Sequence, residues 1–374
     1  MSTCFTPSRP GTPAFESGIT LEALENSELT YEKKHELNIG VAFGFVDNRI
    51  NVEFDWYRRN NFDLIGFTQT MGVGGVTTKL ANDATMQSTG CEFTISTTNI
   101  KTKDFKWTTD WIFGWAENTI TKLDSRSQVY ELVNGFGRTE GRPIGALYSI
   151  PFAGLTEEGL PTFYIDAEHT QIAGPDNYDA IYFQEYENVD YLKYEGSIDP
   201  TITGSFGNTF SWKGLKLNVF FTYSFGNVLR LDDLCPVYSS DYSDLTASMK
   251  EMKNRWMVPG DEQLTTIPSI PTVRQMREIN ALNNAYSAYN YSTERVAKGD
   301  FIRLKELSLA YDLPKKVFEG QKAVSSFGVK LSATNIWLAY ADKKLNGRDP
   351  EYYNSGGVSS PVPRQFTLTV KLGF

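Results

Sequence analysis

Gln365-Phe366-Thr367-Leu368-Thr369-Val370-Lys371-Leu372-Gly373-Phe374 closes the 374-residue chain on a strict two-residue period. Successive side chains of a strand point to opposite faces. Phe366, Leu368, Val370, Leu372 and Phe374 therefore share one face, and Gln365, Thr367, Thr369, Lys371 and Gly373 the other. A soluble edge strand can alternate in this way, but ending the chain on its aromatic is unusual. Lys371, on the polar face, would meet water in a barrel lumen, where a charge costs little.

The same period recurs upstream. Leu215, Leu217, Val219, Phe221, Tyr223 and Phe225 alternate with Lys216, Asn218, Phe220, Thr222, Ser224 and Gly226. Phe105, Trp107, Trp111, Phe113 and Trp115 alternate with Lys106, Thr108, Asp110 and Gly114. Leu37, Ile39, Val41, Phe43 and Phe45 face away from Asn38, Gly40, Ala42 and Gly44, and Ile50, Val52, Phe54 and Trp56 from Asn51, Glu53, Asp55 and Tyr57. Weaker alternation marks 91–97, 202–212, 307–311 and 327–337. Together these predict about nine strands, most near the ~9–11 residues that cross a bilayer at a tilt. One segment breaks phase: Phe301 and Ile302 are both apolar, and Leu304 falls opposite Leu307. A bulge would reset the phase; without one, Ile302 and Leu304 would face inward.

The links between these segments alternate in length. Short links are expected at 46–49, 98–104, 213–214 and 312–322, and long ones at 58–88, 118–200, 227–300 and 339–363. In an up-and-down barrel every second link lies on the same rim, and outer-membrane barrels have short periplasmic turns and long outer loops. A soluble sandwich has no reason to keep this parity. Counting back from Phe374 places the C-terminus on the short-turn side.

Composition agrees. The mean hydropathy of −0.35 resembles that of a soluble protein, but a barrel strand cancels its own average by alternating. Phe 24, Tyr 20 and Trp 7 make 14% of the chain aromatic, as girdles or stacking surfaces require. No run approaches the ~18–20 apolar residues of a membrane helix, so any insertion must be by strands. The first residues, 1–17, lack a basic region followed by an apolar one, so no signal peptide is visible. An outer-membrane protein needs one, so either the membrane reading fails or the chain begins partway through a longer protein. A net charge of −9 gives no basic footprint for nucleic acid. Cys4, Cys91 and Cys235, widely spaced, match no zinc or redox motif and are expected as unpaired thiols. His35 and His169 are far apart and lack motif neighbours.

No catalytic constellation emerges, and no cofactor is implied. Acidic clusters at 156–159, 232–233 and 186–191 fall in expected loops and read as solvated charge. Asp342, Asn346 and Asp349 offer calcium-like oxygens without EF-hand spacing. Gly72, Gly74 and Gly75 lack a phosphate-loop lysine and read as a flexible outer loop. The long loops are rich in aromatics: Phe152, Phe163, Tyr164, Tyr178, Tyr182, Phe183, Tyr238, Tyr242, Tyr286, Tyr289, Tyr352 and Tyr353. They can stack on sugar rings or peptide side chains, or pack on each other. Tyr182, Phe183, Tyr238, Tyr242, Tyr352 and Tyr353 are the candidates for solute contact.

An ordered series of motifs across residues 29–374 resembles the C-terminal part of the SusC/RagA family of TonB-dependent outer-membrane transporters. Leu29-Thr30-Tyr31-Glu32-Lys33 running into Leu37-Asn38-Ile39-Gly40 is similar to the family's "L-x-W-E-x-T … N-x-G" strand. Asp55-Trp56-Tyr57-Arg58-Arg59 with Asp63-Leu64-Ile65 follows as "D-x-Y-x-R … D-L-L" does there. Ser88-Thr89-Gly90-Cys91-Glu92, Arg142-Pro143-Ile144-Gly145, Gly159-Leu160-Pro161 and Arg255-Trp256 extend the series. The tightest matches are Gly299-Asp300-Phe301-Ile302-Arg303-Leu304-Lys305, Thr334-Asn335-Ile336, Asp349-Pro350-Glu351 and Pro363-Arg364-Gln365-Phe366-Thr367. Each is weak alone and specific in combination.

The resemblance implies an all-β fold: an antiparallel up-and-down transmembrane β-barrel, incomplete, with about nine or ten C-terminal strands and long extracellular loops. Residues 1–28 would be an outer-loop remnant and 29–374 the barrel portion, without a plug domain. It implies the outer membrane of a Gram-negative bacterium and import of oligosaccharides or peptides. The implied partners are a SusD-like surface lipoprotein, outer-membrane lipid, and TonB through an N-terminal region outside this chain. Phe374 is similar to the terminal signal read by the barrel-assembly machinery. The chain alone, with two open edges, would not transport. A soluble all-β glycan-binding module and an enzyme of glycan metabolism are the alternatives, and neither accounts for the link parity.

Overall fold

The computed structural model describes residues 2–7, 17–23, 26–72, 77–234, 250–314, 317, 324–353 and 363–373. Its dominant element is a nine-stranded antiparallel sheet in which each strand pairs only with its sequence neighbours in the sheet. The strands are β1 Lys33–Phe45, β2 Ile50–Gln69, β3 Thr78–Lys101, β4 Phe105–Leu123, β5 Ile202–Trp212, β6 Leu215–Phe225, β7 Phe301–Asp312, β8 Ser326–Ala341 and β9 Gln365–Gly373. The sheet is an open up-and-down wall running from β1 to β9. Among the described residues no helix is long and apolar enough to cross a membrane, so only strands could do so.

The register sorts the side chains as the alternation predicts. Val41 lies opposite Phe54, Phe54 opposite Phe93, and Phe93 opposite Phe113. Further along, Trp111 faces Phe206, Phe206 faces Phe221, and Leu309 links Leu217 to Leu331 and onward to Leu368. One face of the wall is therefore a continuous apolar sheet, and many of its large side chains are exposed. A soluble protein rarely leaves so extensive a patch bare. Polar groups on this face satisfy one another: Asn208 Oδ1 accepts from Trp107 Nε1 at 2.9 Å and Thr109 Oγ1 at 2.7 Å. Tyr223 spans two strand spacings over the bare backbone of Gly204, where a Cβ would lie 2.4 Å from its hydroxyl. That hydroxyl donates to the Ile112 carbonyl at 2.9 Å and accepts from Trp111 Nε1 at 2.9 Å. The opposite face carries Glu53, Asp55, Glu92, Asp110, Lys216, Glu306, Lys330 and Lys371, with Lys330 paired to Glu306 at 3.2 Å.

The phase break in β7 is a bulge. Phe220 pairs with Glu306 and Phe221 with Leu304, leaving Lys305 unmatched. The extra residue returns Ile302 and Leu304 to the apolar face opposite Tyr223 and Phe221, and turns Arg303 inward. The inward alternative for Ile302 and Leu304 is excluded.

The alternation of link lengths is only partly kept: each link on the long side exceeds the links beside it, but 70–77 is shorter than 313–325 on the short side. The links are 46–49, 70–77, 102–104, 124–201, 213–214, 226–300, 313–325 and 342–364. The expected long link 58–88 is mostly ladder, because Arg58 pairs with Thr89 and the pairing continues to Gln69 with Thr78. A pattern reader stops at Arg58 because the apolar residues end there; the backbone bonds do not. At 24 residues, β3 is roughly 80 Å of strand at ~3.3 Å per residue, and so stands well above any bilayer. Gly72 lies at this hairpin's end, while Gly74 and Gly75 fall outside the described residues. The tightest turn, Lys213-Gly214, has φ of 47° and 93°, as the twist-matched two-residue hairpin requires. Cys91 is free on the apolar face; Cys235 lies outside the described residues, and no side-chain placement is described for Cys4.

The two faces make opposite demands on a charge. Leu331→Arg, on the apolar face, is expected to destabilise the membrane-inserted wall by about 2–4 kcal/mol, whereas Ser332→Arg, one residue on, costs little. Heat-modifiable gel mobility after refolding into lipid vesicles measures both. Equal tolerance of the two arginines would contradict the assignment of faces.

Candidate functional site

The long links build a folded cap on one rim. Its hydrophobic core comes from α1 Val129–Val133, the strands Ala146–Ser149 and Pro161–Tyr164, and α3 Leu282–Asn290, with Tyr178, Ile181 and Met252. Most of the molecule's fully buried large side chains lie here and not in the wall. Local chemistry starts each piece. Gln128 and Glu131 form a capping box on α1, and Thr272 and Gln275 another on α2 Val273–Glu278. Trp256 lies across Gly159, where a Cβ would come within 2.4 Å of the indole.

Cationic side chains fasten this cap. Arg230 reaches the carbonyls of Ser292 at 2.9 Å, Val133 at 3.1 Å and Tyr148 at 2.5 Å, and Ser149 Oγ at 3.1 Å. One guanidinium thus joins α1 to elements from both long links. Burial pushes its pKa down to about 10. Arg295 pairs with Glu251 at 2.5 Å and donates to the Asp232 carbonyl at 2.6 Å. Arg303, turned inward by the bulge, is buried and pairs with Asp349, and its Nε lies 3.2 Å from Glu351. Two of the tightest sequence motifs, 299–305 and 349–351, are therefore two sides of one ion-pair cluster. Gly299 and Asp300 hold the neighbouring turn, where Asp300 Oδ1 accepts from Gly226 N at 2.7 Å.

The expected solute-contact residues separate into three groups. Phe183 packs against the cap core and lies edge-on to Tyr291 at 5.9 Å. Tyr353 packs on the Leu229–Leu231 cluster while its hydroxyl accepts from Asp232 N at 3.1 Å and Arg348, and Tyr352 is half-buried beside it. Tyr182 is free to meet a partner at 56% exposure. Tyr238, Tyr242 and Phe374 lie outside the described residues. Of the other loop aromatics, Phe163, Tyr178, Tyr286 and Tyr289 are buried and Phe152 packs on them, while Tyr164 stacks on His169 at 4.5 Å. The acidic runs are engaged locally: Glu185 Oε1 accepts from Tyr186 N and Glu187 N, and Asp349 is taken by Arg303. Asp342 accepts from Lys344 N and Lys298 N. Among the described residues, no group of three or more His, Cys, Asp or Glu is placed to hold a metal.

Sequence reading missed Phe136 and Tyr186 as exposed aromatics, at 82% and 45%. It also missed a recess of about 350 Å3 where the cap meets the wall, lined by Arg126, Arg138, Thr139, Tyr186 and Glu187. Neither has a periodic or spacing signature, because both arise from links folding back on strands distant in sequence.

A membrane-barrel wall with a folded cap on one rim is thus the class of protein. No protein-family model matches the chain. It is 26% identical to TonB-dependent receptor P3 of Formosa agariphila and 25% identical to receptor P26 of the same bacterium, each over 96% of the chain. The chain spans 36% of the length of either relative. Against the TonB-dependent receptor SusC of Bacteroides thetaiotaomicron it is 34% identical over 99 residues, 26% of the chain and 10% of that receptor. Among solved structures, the RagAB peptide transporter matches the whole chain with a TM-score of 0.73 at 24% identity, over 38% of that transporter's chain. The match to RagAB establishes the fold. The sequence resemblance to TonB-dependent receptors runs along nearly the entire chain, and the resemblance to SusC along about a quarter of it.

Two outcomes test the cap. Arg303→Ala leaves Asp349 buried without its partner and should cost roughly 3–5 kcal/mol, read as faster proteolysis within 342–353; unchanged cleavage would show the pair to be ornamental. Burial, helped by Glu185, raises Tyr191 to about 12, and burial alone raises Tyr178. The folded state keeps these protons after the unfolded phenols lose theirs near ~10. Their contribution is therefore complete below pH 10 and lost as pH rises through about 12. Absorbance at 295 nm should show late phenol ionisation coinciding with loss of cap structure.

Proposed function

We propose that this chain forms part of the barrel of a TonB-dependent importer in the Gram-negative outer membrane, with the cap facing the cell exterior. The observation that carries this reading is the nine-strand meander, apolar on one face and polar on the other, with its two longest links, 124–201 and 226–300, folded together on one rim. A water-filled lumen needs the polar face and lipid needs the apolar one. Sheet edges in lipid leave backbone groups unpaired, so β1 and β9 require further strands to close the wall before transport is possible. Energy coupling to TonB and a plug belong to parts of such a receptor outside these strands.

The solutes are large, peptides or oligosaccharides, handled on the cap side. A SusD-like surface lipoprotein docks on the cap, where Phe136, Tyr182 and Tyr186 offer exposed aromatic surface. Aromatic anchors of this kind carry a disproportionate share of interface energy. No residue of this reading acts as a catalyst. Phe374 serves the barrel-assembly machinery.

The test is made in the source bacterium with the natural gene. An epitope placed in 124–201 should be accessible to antibody on intact cells, and the protein should fractionate with outer membranes. Phe136→Ala with Tyr182→Ala should lower lipoprotein co-purification at least tenfold while leaving barrel heat-modifiability intact. Recovery of the protein as a soluble monomer would refute the importer reading; full retention of the lipoprotein would refute only the docking surface.

A further inference from the structure

The top of β8 outruns its neighbour. β9 begins at Gln365, opposite Thr334, so residues 335–341 of β8 stand above it without a β9 partner. Along this margin opens a cleft of about 690 Å3, lined by Lys298, Tyr340, Asp342, Lys343, Gly347 and Arg348 among others. Its lining is cationic on balance. The carboxylate of Asp342 keeps its negative charge while accepting from two backbone donors, Lys298 N at 2.8 Å and Lys344 N at 2.9 Å, and the Lys298 and Lys344 side chains act on it electrostatically. Arg348 is committed to Asp232 and to the Tyr353 hydroxyl. Lys298 and Lys343 are exposed, and among the described residues neither ammonium makes an ion pair or hydrogen bond. Asp342 offsets part of this charge, and the ammonium groups of Lys298 and Lys343 leave the cleft with a positive excess that an anion would neutralise.

Its position selects the anion. Tyr340 pairs with Ile302 and Trp337 with Leu304, which places both rings on the apolar face. They are 46% and 56% exposed. Amphipathic rings at this height mark the membrane–water boundary, so the lysines next above them sit at headgroup level on the long-link rim, the outer leaflet of a barrel so oriented. We infer that Lys298 and Lys343 bind the phosphate of a phosphorylated lipid of the outer leaflet, with the acyl chains lying down the wall past Tyr340 and Trp337. The inference rests on the membrane reading above. Free phosphate offers the same head chemistry but has no use for the exposed rings, which favours the lipid.

Native mass spectrometry of the protein extracted from outer membranes in mild detergent tests the site. The probes are diphosphorylated lipid A, the same lipid stripped of phosphate, and inorganic phosphate. A basic residue near a lipid surface is worth about fivefold in affinity, so Lys298→Ala with Lys343→Ala should weaken lipid A binding on the order of 25-fold. Lys298→Arg with Lys343→Arg should retain it. Binding of the stripped lipid as tight as that of lipid A, or unchanged binding by the alanine pair, overturns the inference. Millimolar inorganic phosphate displacing the lipid completely would assign the cleft to the free anion and overturn the lipid source. Heat-modifiable mobility of each variant shows that the barrel is intact. Failure of the membrane reading would be visible separately, as protein absent from the outer-membrane fraction.

Discussion

In hydrocarbon no water is available to a backbone N–H or C=O, and every such group in a spanning segment must be bonded to a neighbouring strand. This constraint explains why the wall is a meander with each strand paired to its neighbours from β1 to β9. The bulge at Lys305 adds a residue to β7, and β8 is irregular at the same height around Asn335, so the two interruptions lie side by side and pairing resumes on either side of them. The same accounting applies above the bilayer, where β4 outruns β5. There the free edge of Ile120 is taken up by Gly141 and Arg142.

The wall leaves its apolar face to the surroundings, so it cannot derive its stability in water from a core. The cap can. Its buried cluster is of the ordinary soluble kind, with aromatic and aliphatic side chains brought together from both long links. Its polar fastenings are of the kind a crowded interior requires. Arg230 spends its donors on three carbonyls and a hydroxyl, while Arg303 carries a charge from the wall into the last loop. The two halves of the molecule therefore answer to different solvents and meet through hydrogen bonds and ion pairs at the rim.

Much of the wall was legible because alternation is a local property. The face of each residue in 366–372 follows from its neighbours two positions away, and the nine segments so found are the nine strands. Lengths were less legible. Past Arg58 and before Ser88 the apolar signal stops, since both faces are wet above the membrane, yet the ladder continues to Gln69 and Thr78. The site was legible only in kind. Aromatic loops signalled a packed or binding region, but nothing local separates Tyr178, which is buried, from Tyr182, which is exposed four residues later.

The sequence by itself determined the class of fold, the sense of each face and the rim on which the long links gather. These follow from period-two patterning and from link lengths, which are properties of short windows. Tertiary structure decided which aromatics became core, that Arg303 meets Asp349, and that a cationic cleft opens above the membrane-facing rings. Each depends on bringing together residues tens of positions apart, and the energy that selects among such pairings is a property of the assembled cap and not of any segment within it.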